Sequence, residues 1–261
     1  MHQVSDDRFY GELRARTAKL AEILGSDLAH PVPTCPDWTF RQLATHVGRG
    51  HRWAAEIVAT RAAEAIPIHH VPDGKLPTDP ARHADWLNDA AARVAAAVKA
   101  ADGDLVWTFL GMRPAGFWAR RRAHEVAVHL ADAQLATGQD TDLAADFAAD
   151  GIDEWLGLLA AGAPGGSEVA RARSQRARGD GQTLHFHATD EGLHDTGEWL
   201  VRRTPFGVTV EPGHAKADVA VRGPAARLLL VLTGRLPPAD PAIKIHGDQA
   251  LLTHWIDHTP F

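Results

Sequence analysis

Residues 120–133 read RRRAHEVAVHLADA, and the spacing of Glu125 and His129 within them decides how the first half of the chain is built. Four residues apart on a helix, the two side chains leave the axis only about 40° apart and project from nearly the same face. Residues 43–53, LATHVGRGHRW, place His46 in the middle of a second helical stretch able to face the first. Two imidazoles and one carboxylate are good zinc ligands, and a three-ligand set leaves a fourth position open for water or substrate, as catalytic sites do and closed structural sites do not. The pattern predicts a four-helix bundle with His46, Glu125 and His129 projecting inward from facing helices.

Outward from these two segments, the first half reads as amphipathic helices separated by proline-rich breaks. The first helix covers Asp6 to Leu24, with Leu13, Leu20, Ile23 and Leu24 on one stripe. HPVPTCPDW, residues 30–38, forbids helix, and Asp37 or Thr39 can cap the second, which runs from Thr39 to Thr60. IPIHHVPDGKLPTDP, residues 66–80, precedes a third helix from Ala81 to Ala101, and a fourth runs from beyond Pro114 to Gly138. A fifth helical stretch, Leu143 to Ala161, is expected to pack on the bundle or lead out of it.

Composition changes at APGGSEVARARSQRARGDGQ, residues 163–182. Beyond it LHFHA, GEWLVRR, GVTVEPG and ADVAVRG alternate as strands and predict a mostly antiparallel sheet. PAARLLLVLTGRL reads as a buried helix ending near Gly234, AIKIHGD as a further strand and QALLTHWIDHT as a last helix. The expected fold class is α+β: a helical bundle over residues 1–163, a linker over 164–180, and a small α+β domain over 181–261.

At 261 residues and 45% hydrophobic content the chain can bury a core without staples. Cys35, the only cysteine, excludes an internal disulfide and any cysteine-rich zinc finger, and fits a reducing cytoplasm. Any zinc site must use histidine and carboxylate. No apolar run approaches membrane-spanning length, and MHQVSDDRFYGELRART carries acids where a secretory signal has an apolar core, so a cytoplasmic protein without membrane contact is expected. A net charge of -6 argues against a nucleic-acid partner, which demands a basic footprint. The one basic cluster, ARARSQRARG at 170–179, is read as a solvated linker.

With 16 histidines in the chain, any pair alone is a weak signal. HEVAVH is one residue longer than the HExxH zinc signature, and His124 and His129 point about 140° apart, which disfavours a metalloprotease of that type. His124 is read as a packing residue or one behind the ligands, and His51, five after His46, as off the ligand face. Asp132, three after His129, is placed to take the proton on the other ring nitrogen, as metal-bound histidines require; the competing reading is an exposed, salt-bridging aspartate. Cys35 in PTCPDW lacks a nearby base and reads as a small apolar residue, while Trp38, Trp53, Trp107, Trp118 and Trp155 read as core. His185 and His187 share one strand face, which suits a metal or a half-polar sheet surface; with nothing else completing a site, the surface reading is preferred. Arg222 and Arg235 stand at element ends, where each can bind an anionic substrate or remain a solvated terminus.

Taken together, VPTCPDWTFRQLATHVGRGHRWAAEIV (32–58), RRRAHEVAVHLADAQLATG (120–138), GEWLVRRTPFGVTV (197–210), ADVAVRGPAARLLLVLTGRLP (217–237) and IHGDQALLTHWIDHTPF (245–261) resemble the mycothiol-dependent maleylpyruvate isomerase-like enzymes of the DinB-like helical superfamily. The resemblance covers nearly the whole chain. It implies a DinB-like metal-binding helical domain followed by a sterol carrier protein-like domain, with the active site between them. It maps the family's metal triad onto His46, Glu125 and His129, and its catalytic arginine onto Arg235. The implied cofactors are zinc or another divalent metal, and mycothiol, a thiol of actinobacteria, as cosubstrate.

The resemblance further implies that zinc takes the mycothiol sulfur in place of water and lowers its pKa, so that the chain needs no catalytic cysteine of its own. The thiolate adds to a small electrophilic alkene and then leaves, as in an isomerase, or stays, as in an S-transferase. Arg235 is the expected cation for an acidic substrate. The implied partners are small molecules only, acting on a monomer or homodimer. Two other readings stand beside this one: a zinc hydrolase in which metal-bound water attacks, and a non-catalytic module whose metal only ties helices together, its fourth position closed by His51 or His124.

Overall fold

The structure, a computed structural model, describes residues 6–25, 27–162 and 168–261. The first residues of the stretch compared with a secretory signal, and the start of the expected linker, lie outside the described residues. The chain divides into two compact units, one ending at Thr141 and one beginning at Asp142.

The first unit contains α1 (Asp6–Leu24), α2 (Phe40–Ala59), α3 (His83–Ala101), a hairpin of β1 (Leu105–Thr108) and β2 (Gly111–Pro114), and α4 (Gly116–Ala136). α2 begins where the proline-rich stretch ends, and the Gln42 side chain accepts the Thr39 backbone N–H at 2.9 Å, satisfying a donor at the helix start. α1 packs on α3 and α4, and α2 packs on α3 and α4, giving the four-helix arrangement. Gly48 allows the close approach of α3, since a Cβ there would lie 1.9 Å from a ring carbon of Trp86. α4 is buried along most of its length, including Trp118, Val126, Val128 and Ala133.

The hairpin was not expected from the pattern, because four-residue strands are too short to show a period. Gly111, at φ 85°, makes its turn, and the Thr108 hydroxyl bonds the Gly111 carbonyl at 2.7 Å. It completes an aromatic cluster in which the Trp53, Trp107 and Phe109 rings lie within 6.1 Å of Trp118.

The second unit contains α5 (Ala145–Ala160), α6 (Glu168–Arg176), β3 (Thr183–Ala188), β4 (Glu198–Thr204), β5 (Gly207–Pro212), β6 (Val219–Gly223), α7 (Ala225–Leu232), β7 (Lys244–Gly247) and α8 (Gln249–His258). The sheet order is β5-β4-β3-β6-β7, antiparallel throughout except for the β3 and β6 pair. The α+β class expected from the sequence is the one observed.

Of the two readings of the fifth helical stretch, the one that leads out of the bundle holds: α5 packs on α7, β5 and α6, because Ile152, Trp155, Leu156 and Leu159 join the core built by Leu184, Phe186, Val201 and Leu228. One expectation is corrected. The basic stretch assigned to the 164–180 linker is helical over Glu168–Arg176, and the Arg173 guanidinium lies 4.9 Å from the Trp155 ring centroid. Cation–π contact and the buried Ala177 anchor it, whereas charge alone suggested solvent.

Strand alternation sends Leu184, Phe186 and Ala188 of β3 into this core and turns His185 and His187 to the other face.

Candidate metal centre

His46 comes from the middle of α2, and Glu125 and His129 come from one face of α4. His46 Nε2 lies 3.3 Å from Glu125 Oε2, and His129 Nε2 lies 3.7 Å from the same oxygen. The two imidazoles meet edge to face, with centroids 4.7 Å apart. One ligand atom from each residue lies within 4.8 Å of the others, so the structure brings together the three side chains the sequence singled out. Burial is graded across them: the His129 side chain is 5% exposed, Glu125 16% and His46 42%, so the group opens to solvent on the His46 side.

Behind His129 stands Asp132, fully buried, with Oδ2 2.8 Å from His129 Nδ1. This resolves the two readings of Asp132 in favour of the histidine partner. The Thr34 hydroxyl donates to Asp132 Oδ1 at 2.5 Å and the Cys35 thiol to Oδ2 at 3.4 Å, so the proline-rich loop before α2 holds the aspartate from the far side. Cys35, read from the sequence as a small apolar residue without a nearby base, belongs to this network. Trp38, read as core, lies over both imidazoles, 5.0 Å from the His46 centroid and 5.9 Å from that of His129.

The residues sequence reasoning missed are Arg121 and Arg122. Arg121 pairs with Glu125 Oε1, and Arg122 Nη1 lies 3.3 Å from Oε2. The available signal was their position four and three residues before Glu125 on one helix, the spacing at which side chains meet. Burial pushes the Glu125 carboxyl up, but the two guanidinium groups and the His46 hydrogen bond together hold it well below the usual carboxylate range. Burial lowers His129, with Asp132 opposing, so its imidazole is neutral near pH 7.

Arg122 is seated because residue 50 is glycine: a Cβ there would lie 2.6 Å from Arg122 Nη2. From this seat Arg122 Nε donates to His51 Nδ1 at 3.0 Å, and His51 Nε2 faces the Thr17 hydroxyl at 3.2 Å. Burial, reinforced by Arg122, holds His51 well below the ordinary histidine value. The His124 ring packs edge-on to Phe9, 5.8 Å between centroids. Arg235 lies in the second unit, where its Nη1 donates to the Thr233 carbonyl at 2.6 Å and its guanidinium lies 5.2 Å from the Phe261 centroid.

Residues 10–134 match the family described as the mycothiol maleylpyruvate isomerase N-terminal domain, and residues 146–254 match its companion, the MDMPI C-terminal domain. An uncharacterized protein of Mycobacterium tuberculosis, present in strains CDC 1551 / Oshkosh and ATCC 25618 / H37Rv, is 33% identical over 156 residues, covering 57% of this chain and 72% of that protein. Crystal structures of the mycothiol-dependent maleylpyruvate isomerase and of one of its histidine-to-alanine mutants superpose with a TM-score of 0.55 at 16% identity, covering 94% of each chain. At that identity the likeness speaks for the fold.

Proposed function

The chain belongs to the mycothiol maleylpyruvate isomerase family, and we propose that it is an enzyme that uses mycothiol, at a divalent-metal centre held by His46, Glu125 and His129, to isomerise a small unsaturated acid. The observation that carries this reading is the convergence of two imidazoles and a carboxylate from two helices, with Asp132 behind one imidazole. The donor set fits a zinc-like ion: the spacings of 3.3 and 3.7 Å lie close to the roughly 3.3 Å between donors around a tetrahedral zinc with bonds of about 2.0 Å. A cation held there supplies a Lewis acid that keeps a bound thiol as its thiolate near neutral pH.

The chain's own residues prepare the centre. Asp132 fixes a proton on His129 Nδ1 and so presents Nε2 as the free lone pair. Burial keeps that imidazole neutral, the form in which it ligates. Arg121 and Arg122 keep Glu125 ionised, and their two positive charges make the surroundings favourable to an anion, whether thiolate or substrate carboxylate. An open fourth position is supported by the occupation of both candidates for closing it: His51 is engaged by Arg122 and Thr17, and His124 packs on Phe9. Arg235 is assigned to the substrate's carboxylate, a role its partly buried guanidinium suits.

Metal-loaded protein is expected to bind mycothiol in calorimetry and to convert maleylpyruvate only when mycothiol is present, with the thiol titre unchanged at the end. His46→Ala is expected to lose both properties. Equal turnover without thiol, or mycothiol binding that survives removal of the metal, would overturn the reading. Stoichiometric consumption of the thiol would replace isomerisation by S-transfer.

A further inference from the structure

We infer that the second unit holds a metal site of its own, in which His185, Glu198 and His214 bind a zinc-like divalent ion. His185 and His187 project from one face of β3, and Glu198, the first residue of β4, pairs in register with His187. His214 follows β5 by two residues. Three adjacent chain segments therefore deliver three donors to one point.

Glu198 Oε2 lies 3.0 Å from His185 Nε2 and 2.7 Å from His214 Nδ1, and Oε1 lies 3.7 Å from His187 Nε2. The two spacings to His185 and His214 lie a few tenths of an ångström inside the roughly 3.3 Å between donors around a tetrahedral zinc, so an entering ion has only to part the side chains slightly. One ligand atom each from His185, Glu198 and His214 lies within 4.8 Å of the others. Among the described residues every ion-pair partner of Glu198 is a histidine, so one carboxylate gathers three imidazoles without help from lysine or arginine. Arg222, paired with His187 in register on β6, is itself exposed.

Imidazole and carboxylate are the donor types that zinc and its neighbours take. Exposure rises from 4% at the His185 side chain to 76% at His214, which gives an ion a path from solvent to the buried end. Three protein donors leave the fourth position of a tetrahedral ion to water on the exposed His214 side. The site's effect is to tie β3, β4 and the segment after β5 together, adding to the second unit's stability when the ion is bound.

The test is zinc stoichiometry of the full-length chain, stripped with chelator, dialysed against zinc and analysed for metal. Two equivalents are expected for the wild type, one for His46→Ala with His129→Ala, and none when His185→Ala and Glu198→Gln are added to that pair. Zinc is further expected to raise the melting temperature of the one-equivalent variant and not of the variant lacking both sites. A His46→Ala, His129→Ala protein with native circular dichroism that binds no zinc would overturn the inference. If that variant does not fold, cobalt titration of the wild type decides: two equivalents, one of them lost in His185→Ala with His214→Ala, support the site, and a single equivalent undiminished by those substitutions refutes it.

Discussion

Glu125 stands among two histidines and two arginines on helices, whereas Glu198 stands among two histidines of a strand and a third just beyond the sheet. The helical cluster is oriented before any ligand arrives, because permanent cations hold the carboxylate and a buried aspartate holds one imidazole. Among the described residues no lysine or arginine pairs with Glu198, so the charge balance of the sheet cluster depends on protons or on a bound ion. A centre of the first kind keeps its shape when empty and suits exchange of a ligand at an open position. One of the second kind gains most of its order from what it binds.

The sharpest way to separate the two is His129→Ala. It is expected to remove one full metal equivalent and all mycothiol-dependent turnover while leaving the second equivalent in place, as read by metal analysis beside activity. Loss of both equivalents in a folded variant would show that the clusters are not independent.

Next in size is Arg122→Met, which strips a buried carboxylate of one partner and leaves His51 without its donor. It is expected to cost about 3 kcal/mol in chemical denaturation of the metal-free protein, following the penalty for breaking a buried pair. Substitution of Arg222 beside the sheet cluster is expected to cost little, since that side chain is exposed.

Asp132→Asn removes the charge behind His129 and turns one of the two oxygens that accept from His129 and Thr34 into a donor. A loss of about 10–100-fold in metal affinity at the helical centre is expected by competition with a chelator of known strength. An affinity unchanged within twofold would mean that the ring is held by Trp38 and burial instead.

The smallest effect concerns pH. The folded pKa of His51 lies below its unfolded value near 6.5, so its contribution to stability is fully present above about pH 6.5 and is lost as pH falls toward the folded value. Denaturation midpoints are expected to decline from pH 7.5 to 5.5 with a slope from this one group of at most about 1.4 kcal/mol per pH unit. His51→Gln is expected to flatten that slope at some cost in stability at pH 7.5, and an unaltered slope would assign the acid sensitivity to other groups.

How much of this was legible in the sequence follows from the range of each signal. Glu125 and His129 were found because helical spacing is local, and Asp132 followed from the same periodicity. The pairing of His46 with them needed only the expectation of facing helices. Arg121 and Arg122 were overlooked although they lie on the same turns, because arginines before a glutamate more often decorate a solvated face. The sheet cluster was half visible: His185 and His187 alternate within one strand, but Glu198 reaches them through strand register and His214 through the path of the chain after β5, neither of which is written in a local pattern. The basic 170–179 stretch misled because composition does not record that Arg173 finds Trp155 and Ala177 finds the core.

Position 50 gives the helical centre a vulnerability that its ligands do not reveal. Its glycine offers a lone hydrogen where a methyl would collide with the Arg122 guanidinium. One added carbon on α2 would shift that arginine and with it the support of Glu125 and His51 in a single step, since the nearest atoms such a carbon meets all belong to Arg122. A larger residue at this site is therefore expected only together with a shifted Arg122 guanidinium.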